Sequence, residues 1–189
     1  TYPGGRIIEE NYDYRARLTS VKESSSPVAS YTYDAANRMT NCTYSNGAAT
    51  TYAYNTNNWL TGITHIGSSA IAQFNYSFDN NGNRLNEEKV HHATNSEKYN
   101  YDANDRLLNY KAGTLSGGNI PSPLTQTQYN YDGVNNRSTI VHDAVTTTYT
   151  ANTVNEYTTI ADSNSVSPVH DANGNVLNDD THTYAYDFE

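Results

Sequence analysis

The sequence predicts an all-β protein, a strip of tandem β-hairpins, on three observations. The pattern Tyr-x-aromatic-Asp/Asn recurs at Tyr31-Tyr33-Asp34, Tyr52-Tyr54-Asn55, Tyr76-Phe78-Asp79, Tyr99-Tyr101-Asp102, Tyr129-Tyr131-Asp132 and Tyr184-Tyr186-Asp187, a periodicity of whole supersecondary units. Tyr at i and i+2 places both rings on one face of a strand, and the Asp or Asn that follows accepts from nearby backbone amides and starts a turn. Leu, Ile, Val and Phe number only 29 of 189 residues while Tyr numbers 18, so the rings must supply a Tyr-built core. No segment carries helical periodicity, and no helix is expected.

The units follow one another along the chain. An incomplete copy opens at Tyr12-Asp13, with Arg17-Leu18 beginning the return strand. The next runs Tyr31 to Asp34, then Arg38-Met39; its return strand alternates through Arg38-Met39-Thr40-Asn41-Cys42-Thr43-Tyr44 to a turn at Asn46-Gly47. After Asn55 the arginine place is held by Trp59-Leu60. Asp79 is followed by Arg84-Leu85, Asp102 by Arg106-Leu107, and Asp132 by Arg137, where Ser138 breaks the apolar rule. Less complete copies stand at Tyr149-Ala151-Asn152 and His170-Asp171. Three residues after the anchor a left-handed position is expected; Asn37, Gly82 and Gly174 occupy it, with Asp105 at the matching place after Asp102. Arg, four or five residues after the anchor, pairs with it across the turn, setting register more than stability at about 0–1 kcal/mol. Further turns are expected at Lys111-Ala112-Gly113 and Gly117-Gly118, within a variable loop from Thr114 to Thr127. Residues 1–189 thus form one repeat region of about eight units, cut at both ends from a longer chain, since Tyr184 to Glu189 is the first half of a unit.

Composition excludes several classes. Eleven Lys plus Arg against 20 Asp plus Glu, with no basic cluster, speaks against nucleic acid as a partner. The longest apolar runs are far short of the roughly 20 residues that cross a bilayer as a helix. A single cysteine, Cys42, excludes an internal disulfide.

Units such as Tyr33-Asp34-Ala35-Ala36-Asn37-Arg38-Met39 and Tyr101-Asp102-Ala103-Asn104-Asp105-Arg106-Leu107 resemble the YD repeats of bacterial RHS proteins. The stretches Tyr149 to Tyr157 and Asp171 to Leu177 are similar to those near the end of an RHS shell. The resemblance implies hairpins spiralling as one strip into a hollow shell, secreted or at the bacterial cell surface. In relatives such shells encapsulate a toxic C-terminal domain, in polymorphic toxins and insecticidal toxin complexes; in animal teneurins a related shell belongs to a cell-adhesion receptor. Cargo-releasing shells end in a core segment with an Asp-Pro neighbourhood, and the sequence contains no Asp-Pro. About eight units are too few to close a shell, so encapsulation belongs to the parent chain.

No catalytic, cofactor or metal site is assigned, and the expected function is a non-enzymatic scaffold. The G-x-S-x-G, H-E-x-x-H and phosphate-loop patterns do not occur. Histidines stand at 65, 91, 92, 142, 170 and 182; on a strand His91 and His92 face opposite sides and share no metal. Cys42 has no neighbouring base to activate it. The oxygen-rich turns at Asp79-Asn80-Asn81-Gly82-Asn83 and Asp171-Ala172-Asn173-Gly174-Asn175 lack the glycine and glutamate positions of a calcium loop, and the repeat already accounts for them. The expected partners are the rest of the parent chain and its toxin cargo. The alternatives are glycans stacked on Tyr faces, as an adhesion module, and self-association through the unpaired strand edges of an isolated segment.

Overall fold

The computed structural model describes residues 5–187. It has seventeen strands: β1 (Ile8–Tyr12), β2 (Leu18–Glu23), β3 (Ser26–Tyr33), β4 (Met39–Tyr44), β5 (Ala49–Tyr54), β6 (Leu60–Ile66), β7 (Ala70–Phe78), β8 (Arg84–Lys89), β9 (Ser96–Tyr101), β10 (Leu107–Gly113), β11 (Pro123–Tyr131), β12 (Arg137–His142), β13 (Val145–Ala151), β14 (Tyr157–Ala161), β15 (Ser165–Val166), β16 (Val169–His170) and β17 (Val176–Asn178). Contacts group them into two units, residues 1–97 with 114–118, and residues 98–113 with 119–189. In the first, β1 to β8 pair antiparallel in sequence order. In the second, strand order is again sequential to β15, and β16 with β17 forms a separate small hairpin. The expected chain of hairpins is what forms.

Each anchored turn closes the same way. The amide of residue +3 donates to the anchor carbonyl, as Asn37 to Asp34 at 3.1 Å, and the anchor amide donates to the carbonyl of residue +4, as Asp34 to Arg38 at 2.9 Å. This is the three-residue hairpin loop, a type I turn followed by one left-handed residue. That left-handed residue is Ala16, Asn37, Asn58, Gly82, Asp105, Asn135, Asn155 or Gly174, always three after the anchor, with φ between 58° and 94°. The offset predicted from three of them holds in all eight described turns. The opposite ends of the hairpins vary: Ser24-Ser25 and Asp143-Ala144 are tight turns with both residues at positive φ, and Gly47 closes on Tyr44 at 3.0 Å.

Strands alternate as their sequence does. In β3 the rings of Tyr31 and Tyr33 are half-buried and Thr32 between them is exposed; β5 repeats this with Tyr52, Ala53 and Tyr54. The expected Tyr-built core is corrected here. Among the described residues the buried apolar set is Ala29, Cys42 and Ile120, so the rings roof one face of a sheet rather than fill an interior. Ala29, Thr50 and Thr127, each five residues before an anchor, are buried on that same face.

Three local expectations are revised. Lys111-Ala112-Gly113 ends β10 instead of turning, because Gly113 must lie flat beneath fully buried Ile120, whose Cγ2 would stand 2.9 Å from any added Cβ. The variable loop ends at Ser122, not Thr127: Pro123 starts β11, where a missing amide donor is tolerated. His91 and His92 lie in a short 3-10 stretch, Val90–Asn95, not on a strand, and their rings meet edge to face at 5.4 Å.

Candidate functional site: the latched turn edge

In a sequential meander every anchored turn of a unit falls on the same edge of the sheet. The side chain at anchor +4 links each turn to the next. Arg38 is the clearest case. Its Nε donates to Asp34 Oδ2 at 2.7 Å and its Nη2 lies 2.6 Å from the same oxygen, while Asp34 Oδ1 accepts from the amides of Ala36 and Arg38. The remaining nitrogen, Nη1, leaves its own repeat: it donates to the Asn55 carbonyl and to Asn58 Oδ1, both at 2.9 Å. The guanidinium carbon lies 4.7 Å from the centre of the Tyr54 ring, and Tyr54 Oη donates to the Met39 carbonyl at 2.9 Å. One arginine and one tyrosine thus form a two-way latch between adjacent repeats.

The latch recurs. Arg17 reaches the Asp34 carbonyl and Asn37 Oδ1 and lies over Tyr33, whose hydroxyl donates to Leu18. Arg106 reaches Asn135 Oδ1 at 2.7 Å and lies over Tyr131, whose hydroxyl donates to Leu107. Tyr186 donates to Val176 in the same register.

Arginines at +5 are placed differently from those at +4. After Asp79 and Asp132 the +4 residue is Asn, and Asn83 and Asn136 each donate to the anchor's Oδ2 at 3.0 Å. Arg84 instead pairs with Glu87 at 2.8 Å, in a network with Lys89 and Glu97, and Arg137 lies over Tyr149. The expectation that both pair across their turns gives way to a strict four-residue rule, since only the +4 side chain projects along the turn edge.

Where the anchor is Asn, its partner changes too. Asn152 donates to Glu156 Oε2 at 2.8 Å, the polarity of the pair reversed. Asn55 faces Trp59, which packs on Phe78 at 5.4 Å and covers Gly82, where an added Cβ would sit 3.1 Å from the indole. At that boundary the arginine of one repeat and the tyrosine and left-handed asparagine of the next are replaced by Trp59, Phe78 and Gly82, which fit each other by packing.

These bonds fix the ionisation of the anchors. Arg17's side chain holds the Asp13 carboxyl below the usual range. The Arg38 amide and guanidinium do so for Asp34, and Asn83 and Asn175 for Asp79 and Asp171. At Asp102 and Asp132 partial burial pulls the other way and the turn's hydrogen bonds outweigh it. In the two turns weighed for calcium, the carboxylate oxygens accept from their own turn's amides and asparagine. Among the described residues no group of three or more His, Cys, Asp or Glu is placed to hold a metal.

Two histidines join a buried threonine: Thr50 Oγ1 to His65 Nδ1, and Thr127 Oγ1 to His142 Nδ1, both at 2.9 Å. Asp143 lies 3.6 Å from His142 Nε2, which gives a hydroxyl–imidazole–carboxylate sequence. The pairs occupy equivalent repeat positions, five before and ten after the anchor, so both are cross-strand contacts of the repeat. Asp143 is engaged with Thr125 Oγ1 and the Gln126 amide, both at 2.7 Å. Cys42 is buried and unbridged. No helix among the described residues is long and apolar enough to cross a membrane.

Comparison with known proteins agrees with this geometry. Residues 12–49 match the RHS repeat family model, in line with the resemblance noted for the Tyr-Asp units. No curated protein sequence matches. Among solved structures, the crystal structure of TcdB2-TccC3 superposes over 92% of this chain with a TM-score of 0.55 at 16% identity. A Photorhabdus luminescens Tc holotoxin pore, carrying a TccC3 mutation, does so over 92% with a TM-score of 0.56 at 17% identity. This chain spans 12% of the length of each of those chains, and the likeness shows a shared fold.

Proposed function

We propose that the protein is a structural, non-enzymatic element: a stretch of wall from a longer RHS-type chain whose shell encloses a toxin cargo, secreted or held at the bacterial cell surface. The observation that carries this reading is the latch. The arginines four residues after Asp13, Asp34 and Asp102 each hold their turn to the next, which is the task of a wall built by repetition. Asp34 and Arg38, the pair a catalytic reading would single out first, are saturated by their own and the following turn. The fold shared with Tc toxin chains eight times longer supports placing the strip inside a larger assembly.

The test is the intact denatured mass of the polypeptide from its source, followed by protease treatment of the native protein. The proposal expects a mass well above 21.0 kDa and a C-terminal domain that resists protease until the shell is unfolded. A mass near 21.0 kDa, or a C-terminal domain cleaved freely in the native protein, overturns it. An adhesion reading has one observation in its favour, the half-exposed Tyr rings repeated along one face. It predicts hits for the folded chain on a glycan array.

A further inference from the structure

In the last part of the second unit the repeat's turn is kept at Asp171, but β16 and β17 leave the main sheet as a separate hairpin. Beyond Arg137 the sequence has eight carboxylates and neither Lys nor Arg. Here the chain folds the segment after β17 back over β14 and β16, and a cavity of about 390 Å³ opens between them. Three tyrosines line it, Tyr157, Tyr184 and Tyr186, together with His170, Ile160 and Asp179. Four aromatic side chains and one carboxylate thus line one cavity.

The carboxylate is built in. Asp179 Oδ1 accepts from the Thr181 hydroxyl and the amides of Thr181 and His182, and Oδ2 accepts from Tyr184 Oη at 2.7 Å. The Thr181 hydroxyl foremost, then the Tyr184 hydroxyl, hold it ionised far below the usual carboxylate range. The rings are fixed as well: Tyr186 Oη donates to the Val176 carbonyl at 3.0 Å, and Tyr157 Oη accepts from the Arg137 amide at 2.9 Å. The Arg137 guanidinium itself lies 5.1 Å over the Tyr149 ring, outside the residues that line the cavity.

Ring faces carry negative quadrupole potential, and a weakly hydrated cation enclosed by several of them gains most when a fixed negative charge stands nearby. We propose that this cavity binds an alkylated ammonium group, as borne by a choline-type headgroup or a methylated lysine side chain. Tyr157, Tyr184 and Tyr186 form the cage and Asp179 supplies the counter-charge. A sugar also fits the rings and can donate hydroxyls to the carboxylate; the full charge of Asp179, with neither lysine nor arginine in the sequence after Arg137, favours a cation over a neutral ligand.

The test titrates the full chain, by calorimetry and by tyrosine ring NMR signals, with choline and with its neutral isostere 3,3-dimethylbutan-1-ol. A trimethyllysine-bearing peptide forms a third arm. Choline or the peptide should bind saturably and the neutral isostere at least about tenfold more weakly; whichever of the two binds tighter identifies the source of the cation. Asp179→Asn should weaken binding by about tenfold or more, Tyr186→Leu should abolish it, and Tyr186→Phe, which keeps the ring, should stay within about threefold. Should Asp179→Asn or Tyr186→Leu unfold the tail, Ile160→Trp, which fills the cavity from the β14 side, should block binding while far-UV circular dichroism and the melting temperature stay native. Equal binding of the neutral isostere, competition by N-acetylglucosamine, undiminished binding by Ile160→Trp, or no saturable binding to the folded chain overturns the proposal.

Discussion

Arg38 makes contacts on two sides at once: its Nε and Nη2 close the turn it belongs to, and its Nη1 and planar face close on the turn that follows. Lysine, with one compact charge, could do one or the other, which is why the rigid fork of arginine suits this place. The anchors it serves give the fold a pH signature. Asp13, Asp34, Asp79, Asp102, Asp132 and Asp171 all have carboxyls held below their ordinary value near 3.8. A group with a depressed folded pKa contributes its stability fully above the unfolded value and loses it as pH falls through to the folded one. Tyr31, Tyr54, Tyr76 and Tyr131 are shifted the other way, burial being the main cause, from an ordinary value of 10.0. Their contribution is complete below that value and lost above it. The melting temperature should therefore be flat across neutral pH, fall on acidification below about 4 and fall again above about 10. A melting temperature that declined steadily from pH 8 to 5 would contradict this assignment. The Tyr54 hydroxyl is separable: Tyr54→Phe should cost about 0.5–1.5 kcal/mol by removing one bond to a backbone carbonyl.

At the scale of the hairpin, the anchor and its +4 partner behave as a matched pair. Each of the six Asp anchors from Asp13 to Asp171 has a donor at +4, either Arg or Asn, and both Asn anchors have something else, Trp59 or Glu156. The Trp59 repeat extends the match into its neighbour through Phe78 and Gly82. Trp59→Arg alone should lower the melting temperature, because Asn55 offers no carboxylate. Gly82→Asn alone should lower it too, because the new side chain meets the indole. The combined Asn55→Asp, Trp59→Arg, Phe78→Tyr and Gly82→Asn chain should recover most of the loss. Failure of the fourfold variant to exceed Trp59→Arg in stability would refute the matching. Much of this element was legible in the sequence: the anchor, the ring pair and the left-handed residue are local features set by turn chemistry. The latch was not, because it joins residues about twenty apart, such as Arg38 and Asn58, and sequence spacing showed only the pairing within a turn. The offset of Arg84 and Arg137 looked like tolerance at +4 or +5. It is a change of role, visible only once the +4 side chain is seen to run along the turn edge.

For the whole molecule, exposure is the governing quantity. Among the described residues the only buried apolar side chains are those of Ala29, Cys42 and Ile120. A count of rings suggests a Tyr-built core, but the Tyr side chains of β3, β5 and β11 stay half-buried. Apolar area removed from water sets the heat capacity change on unfolding. Calorimetry should give an increment clearly below the roughly 2.3–2.8 kcal/mol/K that 189 residues of ordinary globular protein release. A value inside that range would show a core that the half-buried rings do not supply. With so little interior, cohesion between neighbouring repeats must come from the ladder hydrogen bonds and the latches.

A double-mutant cycle on Arg38 and Asn58 tests that statement most directly, because the two touch only across the boundary between repeats, at 2.9 Å. Arg38→Met removes the donor, and Asn58→Gly removes the acceptor while tolerating the φ of 65° found there. If the latch holds the strip together, the two losses of stability are non-additive, with a coupling of about 0.5–1.5 kcal/mol. Losses that add to within about 0.3 kcal/mol would mean that the turns stand independently and that the latch is a contact without consequence.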